Sequence, residues 1–401
     1  MATVRAFRAL HPHPDAVSRV AAVPYDVVDT DEARALAVDP LSFLHVSRAE
    51  IDLPPLTDPH ADIVYRTSAE RYRQLKRDAP LVQEEAASLY VYRLEAGGHS
   101  QTGIAACYSL DEYETGVIKR HERTRPDKED DRTRHIVELR AQTGPVFLTY
   151  RPSPAIDEIS GRVRSTDPLF DFVAVDRVRH TVWRVERDAA RALAQAFTGV
   201  TALYIADGHH RAASAARARQ ALPDSEEAAY VLGVAFPSDH VRILPYNRVV
   251  RDVSGRTPQD FLGDVARHFA MGRGDAAPAR KGEVSMYVAG AWHRVDLESA
   301  GALGTGVIDS LDCNVLQERL LRPLLGIGDV RTDPRVDFVG GSRGTATLEQ
   351  MVDSGKAQVA FSMYPVSIDE LMAVSDAGAI MPPKSTWFEP KLRDGLLIHE
   401  I

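Results

Sequence analysis

A short apolar strand runs directly into a helix in residues 203–215, LYIADGHHRAASA. Gly208 permits a sharp turn after Asp207, and the alanine-rich continuation has high helix propensity. The first turn of a helix presents backbone N–H groups and the positive end of the helix dipole, which together favour bound phosphate. The segment therefore predicts a strand–turn–helix unit with an anion site at Gly208.

The side chains at this junction add chemistry to the backbone. Arg211 carries a fork of donors suited to phosphate oxygens, and His209 and His210 can donate hydrogen bonds to developing charge. Asp207 can hold Mg²⁺ or orient a hydroxyl. In the simpler alternative, Asp207 caps the helix and the histidines pack or face solvent. So many polar residues at one turn favour a functional site.

The overall composition narrows the class of protein. The 401 residues include 48 Lys and Arg against 57 Asp and Glu, a net charge of −9, whereas nucleic-acid binders normally carry a basic excess. The sequence has no apolar run of about 18 residues that could span a membrane, and its start lacks the apolar core of a signal peptide. We therefore expect a cytoplasmic enzyme with no nucleic-acid or membrane partner. Its oligomeric state is left open, a homodimer included.

Two cysteines, Cys107 and Cys313, are too few for a disulfide framework or a four-cysteine zinc site. Both lie in apolar surroundings, where cysteine acts as a small apolar residue. We expect them to be unpaired and to take no part in catalysis.

Strands and helices follow one another without regular β-α-β spacing, so the fold class is predicted to be α+β with a mixed sheet rather than doubly wound α/β. The length suggests two regions. We expect a core over residues 1–255 and a C-terminal α+β region over 256–401, with a polar, Gly- and Ala-rich linker at 272–282.

Three further segments hold candidate site residues. Residues 116–135, GVIKRHERTRPDKEDDRTRH, include His121, Glu122 and Arg123, although composition alone favours a solvated charged helix there. The turn at Tyr25 and Asp26 fits two interpretations equally well, a structural turn and a turn whose polar groups enter a cleft. The proline-bounded tail MPPKSTWFEPKLRDG combines aromatic and charged residues, and we expect its Lys384 and Trp387 to close one wall of a substrate cleft.

Several known motifs are absent or incomplete in the sequence. HERTR does not match the zinc-binding HExxH, and neither GxxxxGK[ST] nor GxGxxG occurs, which argues against a Walker loop and a Rossmann dinucleotide site. Residues 340–344, GGSRG, match the GxSxG elbow of hydrolases with Ser342 as nucleophile. Because the regular β-α-β run around such an elbow is missing, a glycine turn is the favoured interpretation.

The sequence resembles the bacterial and archaeal family catalogued as domain of unknown function 1015. The resemblance extends over nearly the whole chain and is carried by segments such as AAVPYDVV, GPVFLTYR, ALYIADGHHRAASA, ILPYNRVV and MPPKSTWFEPKLR. The family name itself implies no activity.

A remoter resemblance is to free serine kinases built on the ParB/sulfiredoxin fold. In those kinases a His-Glu pair, a short apolar strand and DGHHR follow one another, and this sequence has the same order in His121-Glu122, Pro145–Tyr150 and Asp207–Arg211. The resemblance implies a nucleotide-binding core with ATP or ADP as co-substrate and Mg²⁺ as cofactor. It implies that Glu122 is the general base and that Asp207 holds the metal ion or the substrate hydroxyl. It also implies that His209, His210 and Arg211 bind the nucleotide phosphates. The long separation between Glu122 and Asp207 implies an insertion.

Three hypotheses for the function follow. The first is a kinase that transfers a phosphoryl group from a nucleotide to a small hydroxylated metabolite, with free L-serine as the preferred acceptor. The second is a nucleotide-binding switch, or a slow nucleotidase, that acts through a protein partner. The third is an enzyme of another class, either a hydrolase of a phosphorylated metabolite or an esterase that uses Ser342.

Overall fold

The computed structural model describes residues 1–78 and 81–401. They form two compact units, one of residues 1–241 with 390–401 and the other of residues 242–389. The sequence predicts a division near residue 255 with the whole C-terminus in the second region. The C-terminus instead belongs to the first unit because it forms β-bridges there, with Asp394 bonded to Ala22 and His399–Glu400 paired with Ala141–Gln142.

A mixed sheet of nine strands forms the centre of the first unit. Leu203–Asp207 runs parallel to its neighbour Ile118–Lys119, Tyr230–Pro237 runs parallel to Val146–Tyr150, and the remaining pairs are antiparallel. The strands lie in the spatial order Ile118–Lys119, Leu203–Asp207, Val146–Tyr150, Tyr230–Pro237, His99–Ser109, Tyr90–Ala96, Arg179–Arg184, Phe170–Val173, and Val4–Arg5 pairs with His99–Ser109 off this path. The combination of this mixed sheet with many helices confirms the α+β class.

Helices of varied length surround this sheet. They are Val17–Val20, Thr30–Leu36, Leu44–Ser47, Asp62–Asp78, Leu110–Glu114, Pro126–Leu139, Pro154–Val163, Arg187–Phe197 and His209–Ala221, with 3-10 turns at Ala49–Asp52, Glu227–Ala229 and Ser238–His240. A separate short pair joins Leu10–Pro12 to Leu81–Gln83. Apolar side chains of the sheet, among them Ile205 and Leu148, pack with Ala212 and Ala215 of the helix His209–Ala221 in one buried cluster.

Strand register explains how distant residues meet at the candidate site. Leu203 pairs with Ile118 and Tyr204 with Lys119 in the parallel pair. Parallel strands end at the same edge of a sheet, so the residues after Lys119 are delivered beside the end of the strand at Asp207. The sheet thereby brings His121 and Glu122 to the same edge as the DGHHR segment.

The second unit contains a six-stranded sheet in the order Ala270–Arg273, Ala291–Asp296, Glu283–Val288, Val359–Met363, Tyr246–Val250, Val336–Gly340, and a short pair of Ile243–Leu244 with Trp387–Phe388. Its helices are Pro258–His268, Asp312–Leu316, Arg322–Leu325, Gly344–Asp353 and Ile368–Asp376, with a π turn at Gln317–Leu321 and 3-10 turns at Leu297–Ala300 and Gly341–Arg343. Both Cys107, in the first unit, and Cys313, in the second, are buried and unpaired, as expected.

Within residues 1–78 and 81–401, every helix is too short or too polar to cross a lipid bilayer.

Candidate functional site

The turn between the strand Leu203–Asp207 and the helix His209–Ala221 depends on glycine. Gly208 has φ of 94°, in the left-handed region that residues with a side chain rarely adopt. A Cβ at this position would lie 3.1 Å from Nε and 3.2 Å from Cζ of Arg211. The turn therefore needs glycine both for its backbone conformation and for the close approach of the arginine, and the helix begins without a side-chain cap.

Asp207, at the end of the strand, faces two cations. Its Oδ2 accepts a hydrogen bond from Lys391 Nζ at 2.9 Å, and its Oδ1 lies 3.8 Å from Arg211 Nη2. Burial raises the pKa of Asp207, but the attraction of Lys391 and Arg211 outweighs it and holds the pKa well below its usual range. Asp207 is therefore an anion whose Oδ2 is already bonded to Lys391. The metal role of Asp207 stays a prediction.

Arg211 lies beneath the turn, 8% exposed. Its Nη1 donates to the carbonyl of Pro145 at 2.5 Å and its Nη2 to Asp26 Oδ2 at 3.5 Å. Burial lowers the pKa of Arg211, while Asp26 and Asp207 raise it by more, so the guanidinium stays charged. The guanidinium lies close to the turn and to the acidic side chains of Asp26 and Asp207. Its binding of phosphate together with the helix N–H groups stays a prediction.

His121, Glu122 and His209 form a second cluster at the same edge. The rings of His121 and His209 meet edge to face with centroids 4.4 Å apart, and His209 Nδ1 lies 4.0 Å from Glu122 Oε2. The backbone N–H of His121 donates to His209 Nε2 at 3.4 Å. Because Nε2 accepts, the neutral ring of His209 carries its proton on Nδ1, the atom nearest Glu122.

Both histidines of this cluster are buried, and burial is the main cause of their altered pKa values. Burial lowers the pKa of His121 to about 4, although Asp207 and a backbone hydrogen bond to Ile205 raise it. Burial and the neighbouring His121 lower the pKa of His209 well below its usual range. The two rings are therefore neutral at pH 7, and Glu122 is the partly exposed acidic residue of the cluster.

The same three residues offer one metal ligand atom each, all within 4.8 Å of one another. Two imidazoles and a carboxylate suit a transition metal better than Mg²⁺, which prefers oxygen ligands. His121 Nδ1 is buried and has no hydrogen-bond partner in the described part of the chain. A metal on His209 Nδ1, however, would require the proton of that ring to move to Nε2, opposite the N–H of His121.

The remaining predicted residues are distributed over both units. His210 Nε2 accepts from the backbone N–H of Arg125 at 3.1 Å, which ties the start of the helix to the segment before Pro126–Leu139. Arg123 is exposed. Tyr25 is buried with Arg132 over its ring at 4.2 Å, beside Asp26. The turn at Tyr25 and Asp26 is thus brought to Arg211, as a cleft role would require.

Lys384 and Trp387 belong to the second unit. Lys384 Nζ lies 5.5 Å from the ring centroid of Tyr246, and Trp387 donates from Nε1 to Glu389 at 2.8 Å. Trp387 also pairs with Leu244 in a two-stranded ladder. Their expected role as a wall of the substrate cleft stays a prediction.

Two residues at the first-unit site were missed by the sequence analysis. Lys391 is the hydrogen-bond partner of Asp207. Asp394 is 2% exposed, and its pKa is raised by burial, lowered by the charge of Arg211 and raised further by that of Asp26. Lys391 lies in the segment MPPKSTWFEPKLR that carries part of the family resemblance, and Asp394 follows that segment directly. Nothing local in that segment signals that it returns to the DGHHR turn.

The fold and this junction define an α+β protein with a charged, largely buried strand–helix turn at one sheet edge. The chain belongs to the family described as protein of unknown function (DUF1015), whose model matches residues 4–314. This confirms the family resemblance. No curated protein gives a significant match to the chain.

Solved structures with distant similarity include kinases. A variant of a free serine kinase in complex with AMP aligns with a TM-score of 0.37 and 13% identity over 71% of this chain and 87% of that chain. A conserved hypothetical protein from Pyrococcus furiosus aligns with a TM-score of 0.37 and 14% identity over 72% and 93% of the two chains. SbnI from Staphylococcus aureus, truncated at its C-terminus, aligns with a TM-score of 0.39 and 12% identity over 73% and 86%.

Proposed function

We propose that this protein is a kinase that transfers a phosphoryl group from ATP or ADP to a small hydroxylated metabolite, with free L-serine as the preferred acceptor. The observation that carries the proposal is the position of Glu122: its carboxylate lies 4.0 Å from His209 in the helix turn that follows Gly208. A candidate base and a candidate phosphate-binding turn are thus adjacent, although they are far apart in sequence.

Each group at the junction has a role in this reaction. The acceptor hydroxyl oxygen attacks the terminal phosphorus, the bond from phosphorus to the bridging oxygen breaks, and the nucleotide leaves with that oxygen. Glu122 takes the hydroxyl proton. The Nδ1–H of His209, which faces Glu122, orients the carboxylate of Glu122. Mg²⁺, carried on the nucleotide phosphates, neutralises phosphate charge when it is bound.

Backbone N–H groups and a buried positive charge favour phosphate on the other side of the site. The N–H groups after Gly208 and the helix dipole favour an anion at the turn. Arg211 adds positive charge directly beneath that turn, and His210 fixes the helix start through Arg125. Asp207, which is bonded to Lys391, orients the acceptor hydroxyl.

The test is phosphoryl transfer itself. The protein is incubated with ATP or ADP, Mg²⁺ and a pool of hydroxylated metabolites that contains L-serine, and mass spectrometry records any phosphorylated product. We expect phosphoserine, and we expect Glu122→Gln to lower kcat by roughly 10²–10⁴-fold, the usual contribution of a general base. The matched control is Glu138→Gln, an exposed acid of the helix Pro126–Leu139.

Two results would contradict the proposal. If nucleotide binds and no metabolite gains phosphate, the nucleotide-binding switch replaces the kinase. If a product forms and Glu122→Gln makes it at the wild-type rate, the base is another group. Calorimetric titration of nucleotide into the same samples separates loss of binding from loss of chemistry.

A further inference from the structure

A small cavity lined by both polar and apolar side chains lies next to Arg211 in the first unit. Its volume is about 40 Å³, and its lining includes Tyr25, Ser47, Arg132, Gly144, Arg211 and Asp394. A single water needs roughly 10–15 Å³ measured in this way. The cavity therefore has room for a few waters or one small metabolite, and it is too small for a nucleotide.

Three of the lining side chains have a buried polar atom without a partner in the described part of the chain. They are the Oγ of Ser47, the Nε of Arg211 and the Oδ1 of Asp394. A buried polar atom that stays without a hydrogen bond destabilises the folded protein. These atoms belong to residues that line one cavity, which favours a polar occupant.

The cavity contains both signs of charge. Arg132 is held by Asp131 at 2.8 Å and donates to the carbonyl of Ser47, and Arg211 is charged beside it. Asp394 brings a carboxyl group against these cations. An anion without a positive group would lie against the carboxyl group of Asp394, and a cation without a negative group would be repelled by the two arginines. The lining therefore fits a molecule that carries both charges close together.

The position of Asp394 suits the positive end of such a molecule. Gly144 leaves room for its carboxyl group, because a Cβ there would lie 2.3 Å from Asp394 Oδ1. Burial raises the pKa of Asp394 to about 7, Arg211 lowers it, and Asp26 raises it further. A bound ammonium group would therefore complete the ionisation of this carboxyl group.

We propose that this cavity binds a free α-amino acid, with its carboxylate against Arg132 and Arg211 and its ammonium group against Asp394. In an α-amino acid a single carbon separates the two charges, which matches a cavity of this size. The inference rests on the proposed function only for the fate of the amino acid, which would be the phosphoryl acceptor; the binding itself does not depend on transfer.

The experiment is calorimetric titration of the full-length protein with L-serine, N-acetyl-L-serine and L-serine amide. The two derivatives each remove one charge, so we expect them to bind at least tenfold more weakly than L-serine. Asp394→Asn and Gly144→Ala should also weaken L-serine at least tenfold, the second because its methyl group collides with Asp394. Asp188→Asn, a fully exposed exchange of the same kind, should leave the affinity unchanged.

Nucleotide titration of the same variants keeps the two proposals distinguishable. Unchanged nucleotide affinity shows that a variant is folded and that its effect is confined to the cavity. L-serine binding without phosphoryl transfer would leave the cavity assignment intact and overturn the kinase. The cavity assignment is wrong if wild type binds no amino acid with or without nucleotide, or if N-acetyl-L-serine binds as well as L-serine.

Discussion

Lys391 Nζ lies 2.9 Å from Asp207 Oδ2, although 184 positions separate the two residues. The C-terminal segment thereby supplies the cation that keeps the aspartate of the DGHHR turn ionised. The DGHHR turn is continuous in sequence, but it depends on a lysine that follows the whole second unit in the chain.

The Lys391→Met variant should destabilise the first unit by about 2–3 kcal/mol. Breaking a fully buried ion pair costs roughly 3–5 kcal/mol, and this pair is slightly less buried, with 26% of the Asp207 side chain exposed. The control is Lys76→Met, whose pair with Glu400 is more than a third exposed on each side and should contribute under about 1 kcal/mol. Urea unfolding measures both variants.

A double variant tests whether the cost arises from the pair itself. When Asp207→Asn accompanies Lys391→Met, the carboxylate that lost Lys391 no longer carries charge, and Arg211 keeps Asp26 as its acidic neighbour. The double variant should therefore be more stable than the sum of the single effects predicts. Strict additivity would show that the two side chains act independently.

Gly208→Ala should weaken nucleotide binding as well as stability. The methyl group would be strained at φ of 94° and would push on Nε and Cζ of Arg211. The control is Gly116→Ala, where φ is 80° and no atom lies within 4 Å of the added Cβ. Both variants should lose about 1–2 kcal/mol for the left-handed conformation.

Only Gly208→Ala should lose further stability and nucleotide affinity, because only its methyl group displaces the buried guanidinium. Calorimetric titration of nucleotide and urea unfolding separate the two effects. Equal losses in the two variants would mean that the approach of Arg211 to the turn has no importance for the site.

Both thiols should react only after unfolding. Burial raises the pKa of Cys107 and of Cys313, and a thiol reacts through its thiolate. We expect a thiol-reactive dye to label neither residue in the native protein at pH 7 and both in urea. Rapid labelling of one thiol under native conditions would reveal an opening motion that exposes it.

The local parts of the site could be predicted from the sequence. Apolar residues 203–206, a glycine and an alanine-rich helix fix the strand, turn and helix by propensity alone, and the structure has all three. The motif order also suggested that His121 and Glu122 belong with DGHHR. The parallel pairing of Ile118–Lys119 with Leu203–Tyr204 brings them to the same sheet edge.

The long-range parts could not be predicted in the same way. The direction of the Arg211 side chain depends on Pro145 and Asp26, and neither contact leaves a local pattern. Lys391 and Asp394 lie in a proline-rich tail whose return to the first unit is decided by bridges to Ala22 and by pairing with Ala141–Gln142. Such contacts depend on the complete fold, so a single sequence does not reveal them.

A buried neutral histidine should make the protein sensitive to acid. His135 is 6% exposed, and its Nε2 lies 3.1 Å from the carbonyl of Val46 and 3.0 Å from Ser68 Oγ. Since a carbonyl only accepts, Nε2 carries the proton. Burial, followed by the charge of Arg132, lowers the pKa of His135 to about 4, although the bond to Val46 and the charge of Asp131 raise it.

The direction of the pH effect follows from this lowered pKa. Between about pH 6.5 and pH 4 the unfolded chain binds a proton at residue 135 that the native protein does not, so the free energy of unfolding falls as the pH falls. The contribution is complete above about pH 6.5, and its total is about 3 kcal/mol. His135→Gln should remove this part of the slope, whereas His13→Gln, at an exposed position, should not. Urea unfolding at intervals from pH 7.5 to pH 4.5 measures the slopes; parallel curves for wild type and His135→Gln would mean that residue 135 is protonated equally in both states.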